Sequence, residues 1–193
     1  MKNNILTVFV LLLTISFTTI NAQTDQGNWV LGGSTTFSFS STNTKLEFDG
    51  EQQGDDLKSS AINITPSVGY FVIDNLAVGL DLGYTSTKVE DETSSTFTGV
   101  LGGSYYFNAS DNLKPYVGLG GGYTIINYSD EDAEKFSGLT LRGVGGIAYF
   151  INESISFNFL VQYLNLNLKN KADSDFVSKS SSIGAGVGVY LYL

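Results

Sequence analysis

The chain has no cysteine and no histidine, and arginine occurs once, at Arg142. Without cysteine there is no disulfide and no thiolate metal site, and no thiol to carry a lipid at an export cleavage site. Without histidine, the side chain best suited to proton transfer near neutral pH is missing. Basic residues are few: Lys and Arg total 10 against 19 Asp and Glu, for a formal charge of −9. That sign disfavours nucleic acid as a partner, because phosphate neutralisation needs lysine and arginine. Apolar runs are also short. Ile5 to Phe17 covers 13 residues, whereas a helix that spans a bilayer needs about 20. No segment carries the pattern of an amphipathic helix.

The short run has the layout of an export signal. Lys2 supplies the positive start, Ile5 to Phe17 the apolar centre, and Ala22 a small residue for the cut. Ile20 is bulkier than the usual residue three places before such a cut. The expected organisation is a signal over residues 1–22 and one domain over residues 23–193. Removing the signal leaves 171 residues with nine basic and 19 acidic side chains, a formal charge of −10.

What the chain has in abundance is a stripe. Leu76, Val78, Leu80, Leu82 and Tyr84 alternate with Ala77, Gly79, Asp81 and Gly83. A period of two means a strand with two unlike faces. The second face is small rather than charged. A strand with lipid on its apolar side and a narrow lumen on its small side reads this way. The stripe recurs over residues 27–40, 59–72, 76–88, 95–107, 113–127, 137–150, 154–168 and 179–193. Each segment exceeds the roughly 9–11 residues a tilted strand needs to cross a bilayer. The spacers alternate between short (residues 73–75, 108–112 and 151–153) and long and polar (residues 41–58, 89–94, 128–136 and 169–178). The fold class is therefore all-β: an eight-stranded antiparallel up-and-down transmembrane β-barrel, closed so that no strand edge meets lipid. Short turns face the periplasm in such barrels, with both chain ends on that side. Trp29, Tyr70, Tyr105, Phe107 and Tyr149 fall near the turn ends of the strands. Phe39, Tyr84, Phe97, Tyr123 and Tyr163 fall nearer the loop ends. Two interfacial aromatic girdles produce that distribution.

The chain resembles the small outer-membrane β-barrel proteins of Gram-negative bacteria, the OmpX, OmpW and OmpA-barrel group. The resemblance rests on the signal, the eight alternating strands and the last segment, Ile183 to Leu193. That segment is similar to the C-terminal signal read by the barrel assembly machinery. The family usually ends in Phe; Leu193 stands here, with Tyr190 and Tyr192 beside it. The resemblance implies residence in the bacterial outer membrane, among outer-membrane lipids and lipopolysaccharide. It implies the barrel assembly machinery as a partner during biogenesis. Barrels of this size that act on lipid A, phospholipids or peptides rely on a catalytic histidine, which this sequence lacks. The expectation is a protein that is not an enzyme, with no catalytic residue, cofactor or metal. An OmpX-like protein would be structural or would interact at the cell surface through acidic extracellular loops. An OmpW-like protein would be a narrow channel for small or hydrophobic solutes. The sequence names no extracellular partner.

Three features invite chemistry. Gly143, Gly145, Gly146 and Ala148 match a nucleotide-binding glycine string. Phosphate cradling needs that turn between a strand and a helix, and these glycines lie inside a strand. They read instead as small residues that let a narrow barrel bend and bulky lumen neighbours fit. Second, Asp81 and Arg142 are the ionisable residues well inside strands, and both lie in lumen phases. A charge there is costly unless paired. The two form a candidate lumen ion pair, with Asn63, Asn158 and Gln162 as neighbours; the alternative is a gate or selectivity element. Third, the long spacers are acidic: Glu47, Asp49, Glu51, Asp55 and Asp56, then Glu90 to Glu92, then Asp130, Glu131, Asp132 and Glu134. Such clusters keep loops solvated. The alternative is weak binding of Ca²⁺ or Mg²⁺, although no spacing matches an EF-hand loop.

Overall fold

The computed structural model describes residues 23–41, 47–48, 51–52, 58–89, 92–128, 135–170 and 177–193. Eight long strands form a closed barrel. They are β1 (Trp29–Ser41), β2 (Lys58–Ile73), β3 (Leu76–Val89) and β4 (Glu92–Tyr106). The ring continues through β5 (Leu113–Tyr128), β6 (Phe136–Phe150), β7 (Ile155–Asn170) and β8 (Val177–Tyr192). Every neighbour is antiparallel and sequential, and β1 closes on β8. Two short strands, Glu47–Phe48 and Glu51–Gln52, pair with each other outside the barrel.

The ladders are staggered. Followed one way round, the rung of Asp81 passes Val100 and Gly122 to reach Thr140 on β6. Followed the other way, it passes Ser67, Gly32, Tyr190 and Ser156 to reach Phe150 on the same strand. The two arrivals are ten residues apart on β6. A stagger of this kind tilts strands against the barrel axis, and eight tilted strands enclose a lumen that side chains can fill.

Alternation sorts side chains between the two walls. Leu80, Leu82, Leu101, Leu119, Leu141, Phe159 and Val187 are exposed outside. Ala77, Val100, Thr124, Thr140, Asn158 and Gln162 are buried inside. The girdle positions whose side chains are described all face outward, and the Phe39 side chain lies outside the described set. Several meet across strands: Trp29 and Tyr70 at 5.2 Å, Tyr84 and Phe97 at 4.8 Å between ring centres.

Two details depart from the sequence reading. The barrel runs further toward the loops, because ladder pairing continues: Lys88 and Val89 pair with Thr93 and Glu92, and Lys169 and Asn170 pair with Ser137 and Phe136. And the glycines serve both walls. Gly79, Gly102 and Gly186 press against neighbouring backbone on the lumen side, while Gly143 and Gly145 lie on the outer wall beside Leu119 and Val117.

At the turn end, residues 23–28 fold across the mouth. Gly27 N donates to Phe71 O at 2.9 Å, and Phe71 N donates to Asn28 O at 2.9 Å. The Asp74-Asn75 turn reverses the chain with Asn75 at φ 65°, a left-handed conformation that asparagine tolerates. The main chain of Trp29 and that of Leu193 exchange both hydrogen bonds, at 2.7 and 2.8 Å. Both chain ends are thereby tied to the seam.

Candidate functional site: the lumen

The lumen is filled in three layers. The first, at the turn end, is aromatic. Phe71, Tyr106, Tyr116, Phe150 and Tyr192 are each at most 6% exposed. Tyr106 stacks on Tyr116 at 5.2 Å, Phe150 meets Tyr192 at 4.8 Å, and Phe71 lies 5.6 Å from Tyr106. These rings come from β2, β4, β5, β6 and β8, so they close the section from most of the ring. Ser156 Oγ donates to Asn158 Oδ1 at 2.6 Å and lies 3.4 Å from the Tyr192 hydroxyl. Sequence reasoning missed this layer. Its signal is the run of adjacent aromatics, Tyr70-Phe71, Tyr105-Tyr106 and Tyr149-Phe150, in which alternation sends one ring to lipid and the next inward.

The middle layer is charged. Arg142 Nη1 contacts Asp81 Oδ2 across the lumen. Arg142 Nε donates to Gln162 Oε1 at 3.1 Å, and Gln162 Nε2 donates to Thr36 Oγ1 at 3.4 Å. The register explains the meeting. The Asp81 rung reaches β6 at Thr140, two residues from Arg142 on the same face. That is about 7 Å along a strand, within reach of an arginine side chain. The Arg142 side chain is 12% exposed and that of Asp81 30%. Asn158 shares the cavity wall with the pair, whereas Asn63 bonds elsewhere.

The third layer, on the loop side, is made of hydroxyls and amides. Thr98 and Thr124 lie 2.9 Å apart, and Thr124 and Thr140 lie 2.5 Å apart. Asn63 Nδ2 donates to Thr85 Oγ1 at 2.7 Å, and Thr65 donates to Asn63 Oδ1. Between the aromatic and charged layers lies a cavity of 80 Å³ bordered by Asp81, Arg142, Tyr106, Tyr116, Asn158 and Tyr190. It has room for a handful of water molecules and polar groups to hold them.

The acidic candidates Asp130, Glu131, Asp132 and Glu134 lie outside the described residues, as do residues 1–22. Among the described residues, no group of three acidic side chains is placed to hold a metal.

A closed barrel with an apolar outer wall, aromatic collars and a lumen filled by aromatic, charged and hydroxyl side chains is a transmembrane barrel of the outer-membrane type. The family comparison makes this specific. Residues 7–190 match the family described as outer membrane protein beta-barrel domain, and the chain belongs to that family. It resides in the bacterial outer membrane, among the lipids and lipopolysaccharide of that bilayer. No curated protein matches the chain by sequence. Solved structures share its fold. Neisserial surface protein A superposes with a TM-score of 0.68 at 13% identity, covering 86% of this chain and 99% of that one. The outer membrane protein OprG from Pseudomonas aeruginosa gives 0.61 at 19% identity, covering 90% and 99%. The attachment invasion locus protein Ail of Yersinia pestis gives 0.52 at 15% identity, covering 87% and 99%.

Proposed function

We propose that this barrel is a non-enzymatic structural and surface-interaction protein that presents acidic extracellular loops above a closed lumen. The supporting observation is the aromatic layer, five rings linked in one chain of contacts through Tyr106 and Tyr192 and backed by the Arg142–Asp81 pair. A barrel of eight strands has little section to spare once rings of that size occupy it. The absence of histidine agrees with a protein that performs no acyl transfer or hydrolysis. Assembly by the barrel assembly machinery follows from the same reading.

Planar-bilayer recording tests the lumen. The purified barrel is expected to give no steady single-channel current in salt solution. Discrete, reproducible openings of the unaltered protein would make it a narrow channel instead. The loops are tested separately. If residues 130–134 act only through solvated charge, millimolar Ca²⁺ at fixed ionic strength leaves their protease cleavage unchanged. Protection by the ion would assign them a divalent site.

A further inference from the structure

The mouth at the turn end carries a reactive group that neither the lumen nor the loops use. Residues 23–28 lie across it, and the two glutamines of that segment are held differently. Gln26 is fixed: its backbone N donates to Asp74 Oδ1 at 2.9 Å, and its Nε2 donates to Val72 O at 3.1 Å. The Gln23 side chain is half-buried and makes no hydrogen bond among the described residues. Thr24, next to it, is anchored. Its hydroxyl donates to Asn75 Oδ1 at 2.7 Å and accepts from Lys114 Nζ at 2.9 Å, and its carbonyl accepts from Asn75 N at 2.7 Å. Position 24 is therefore locked to two turns. Position 23 stands over an open pocket that it shares with Asp25, Asp111, Glu153 and Lys114.

A glutamine at the start of a chain holds a nucleophile and an electrophile on one residue. Its neutral α-amine can bond to its own side-chain Cδ. The Cδ–Nε2 bond then breaks, and Nε2 leaves as ammonia with the proton that the attacking amine sheds. The product is a lactam, and the reaction consumes nothing else. The two groups are joined through a short tether, which supplies the proximity that such a step needs. Carboxylates at the rim of the same pocket are of the kind that relays a proton between the attacking and leaving nitrogens.

We propose that, once export has cut after Ala22, Gln23 closes to N-terminal pyroglutamate, a cap that guards the Thr24 anchor. The lactam carries no charge, so the terminus loses its ammonium. Chain ends are where proteolysis concentrates. An aminopeptidase that grips an α-ammonium would remove residue 23 and then Thr24, and with Thr24 the tie between the Asn75 turn and Lys114. The lactam denies it that grip. The proposal rests on the cut after Ala22 and is independent of whether the lumen conducts.

The test takes the full barrel exported by its own signal and extracted from the outer membrane. Free amines of the denatured chain are labelled with an amine-reactive reagent before digestion, and the first peptide is mapped by mass spectrometry. The wild-type peptide is expected to begin at position 23, to carry no label on its α-nitrogen, and to weigh one ammonia less than the unmodified sequence. Gln23→Ala keeps a small residue after the cut and is expected to carry the label on its α-nitrogen. Treatment of the folded barrels with an aminopeptidase is expected to leave the wild-type terminus whole and to trim Gln23→Ala past Thr24. A labelled α-amine on Gln23 overturns the lactam and leaves the cut after Ala22 standing. A first peptide that begins elsewhere overturns both. Equal resistance of the two proteins to the aminopeptidase overturns the guarding role.

Discussion

Arg142 on β6 and Asp81 on β3 stand three strands apart on a ring of eight, and the guanidinium spans the lumen to meet the carboxylate. Removing one partner strands the other charge among low-dielectric walls. Breaking a fully buried pair costs about 3–5 kcal/mol. Asp81 keeps 30% of its side-chain exposure and borders the 80 Å³ cavity. Water therefore screens it, and Arg142→Ala is expected to cost about 2–3 kcal/mol in urea unfolding. Asp81→Asn combined with Arg142→Gln is expected to recover part of that loss. Strict additivity of single and double variants would show that the contact carries no coupling.

The aromatic layer makes a separate prediction. Phe71 is fully buried, and Tyr106 touches Phe71, Tyr116 and Tyr192. Phe71→Ala is expected to destabilise the barrel by about 3–5 kcal/mol, the usual cost of a large ring lost from a packed site. Phe71→Ala together with Tyr106→Ala is expected to give measurable ion current in planar bilayers. A folded double variant as silent as the wild type would place the seal in another layer.

How far the sequence carried depends on which side of the headgroups a residue lies. Within hydrocarbon the rule is simple: apolar outward, small or polar inward. It assigned Leu80, Leu82 and Leu141 to lipid and put Asp81 and Arg142 in the lumen from spacing alone. Beyond the headgroups the same rule inverts. Leu164, Leu166 and Leu168 therefore look lipid-facing although they face inward, and Asn165, Asn167 and Lys169 look like the start of a loop. The end of β7 was hidden for that reason. Tyr106 and Phe71 were obscured differently. Each follows a girdle aromatic, and an aromatic pair at a strand end reads as girdle until register shows which ring turns inward.

Thr24 bears on where export cleavage can fall. Thr24 is buried and donates to Asn75 Oδ1 at 2.7 Å, while Asn75 N donates to Thr24 O at 2.7 Å. Lys114 Nζ reaches Thr24 Oγ1 at 2.9 Å and Asn108 Oδ1 at 3.0 Å. Thr24 thus fastens two turns across the mouth. Export cleavage after Ala22 would leave it in place, and mass spectrometry of the purified protein is expected to show Gln23 first. Thr24→Val is expected to cost about 1 kcal/mol, the value of a lost hydrogen bond. A mature protein beginning at Asp25 or later with wild-type stability would sink both statements.

The glycines offer the sharpest contrast, because residues of one type face two environments. A Cβ at Gly79 would lie 2.5 Å from Val68 O and 2.9 Å from Gly69 Cα, both backbone atoms that cannot swing aside. A Cβ at Gly143 would meet nothing closer than Leu119 Cδ2 at 3.7 Å, ordinary contact on the lipid wall. Gly79→Ala must shift a neighbouring strand, and overpacking of that kind costs about 1–3 kcal/mol. Gly143→Ala loses nothing in the folded barrel and narrows the unfolded ensemble, which stabilises by about 0.4–1 kcal/mol. Urea unfolding of the two variants in the same detergent is therefore expected to move in opposite directions. Equal destabilisation by both would mean that the outer-wall glycines are needed for strand geometry itself, and that the division of glycines between the two walls has no energetic meaning.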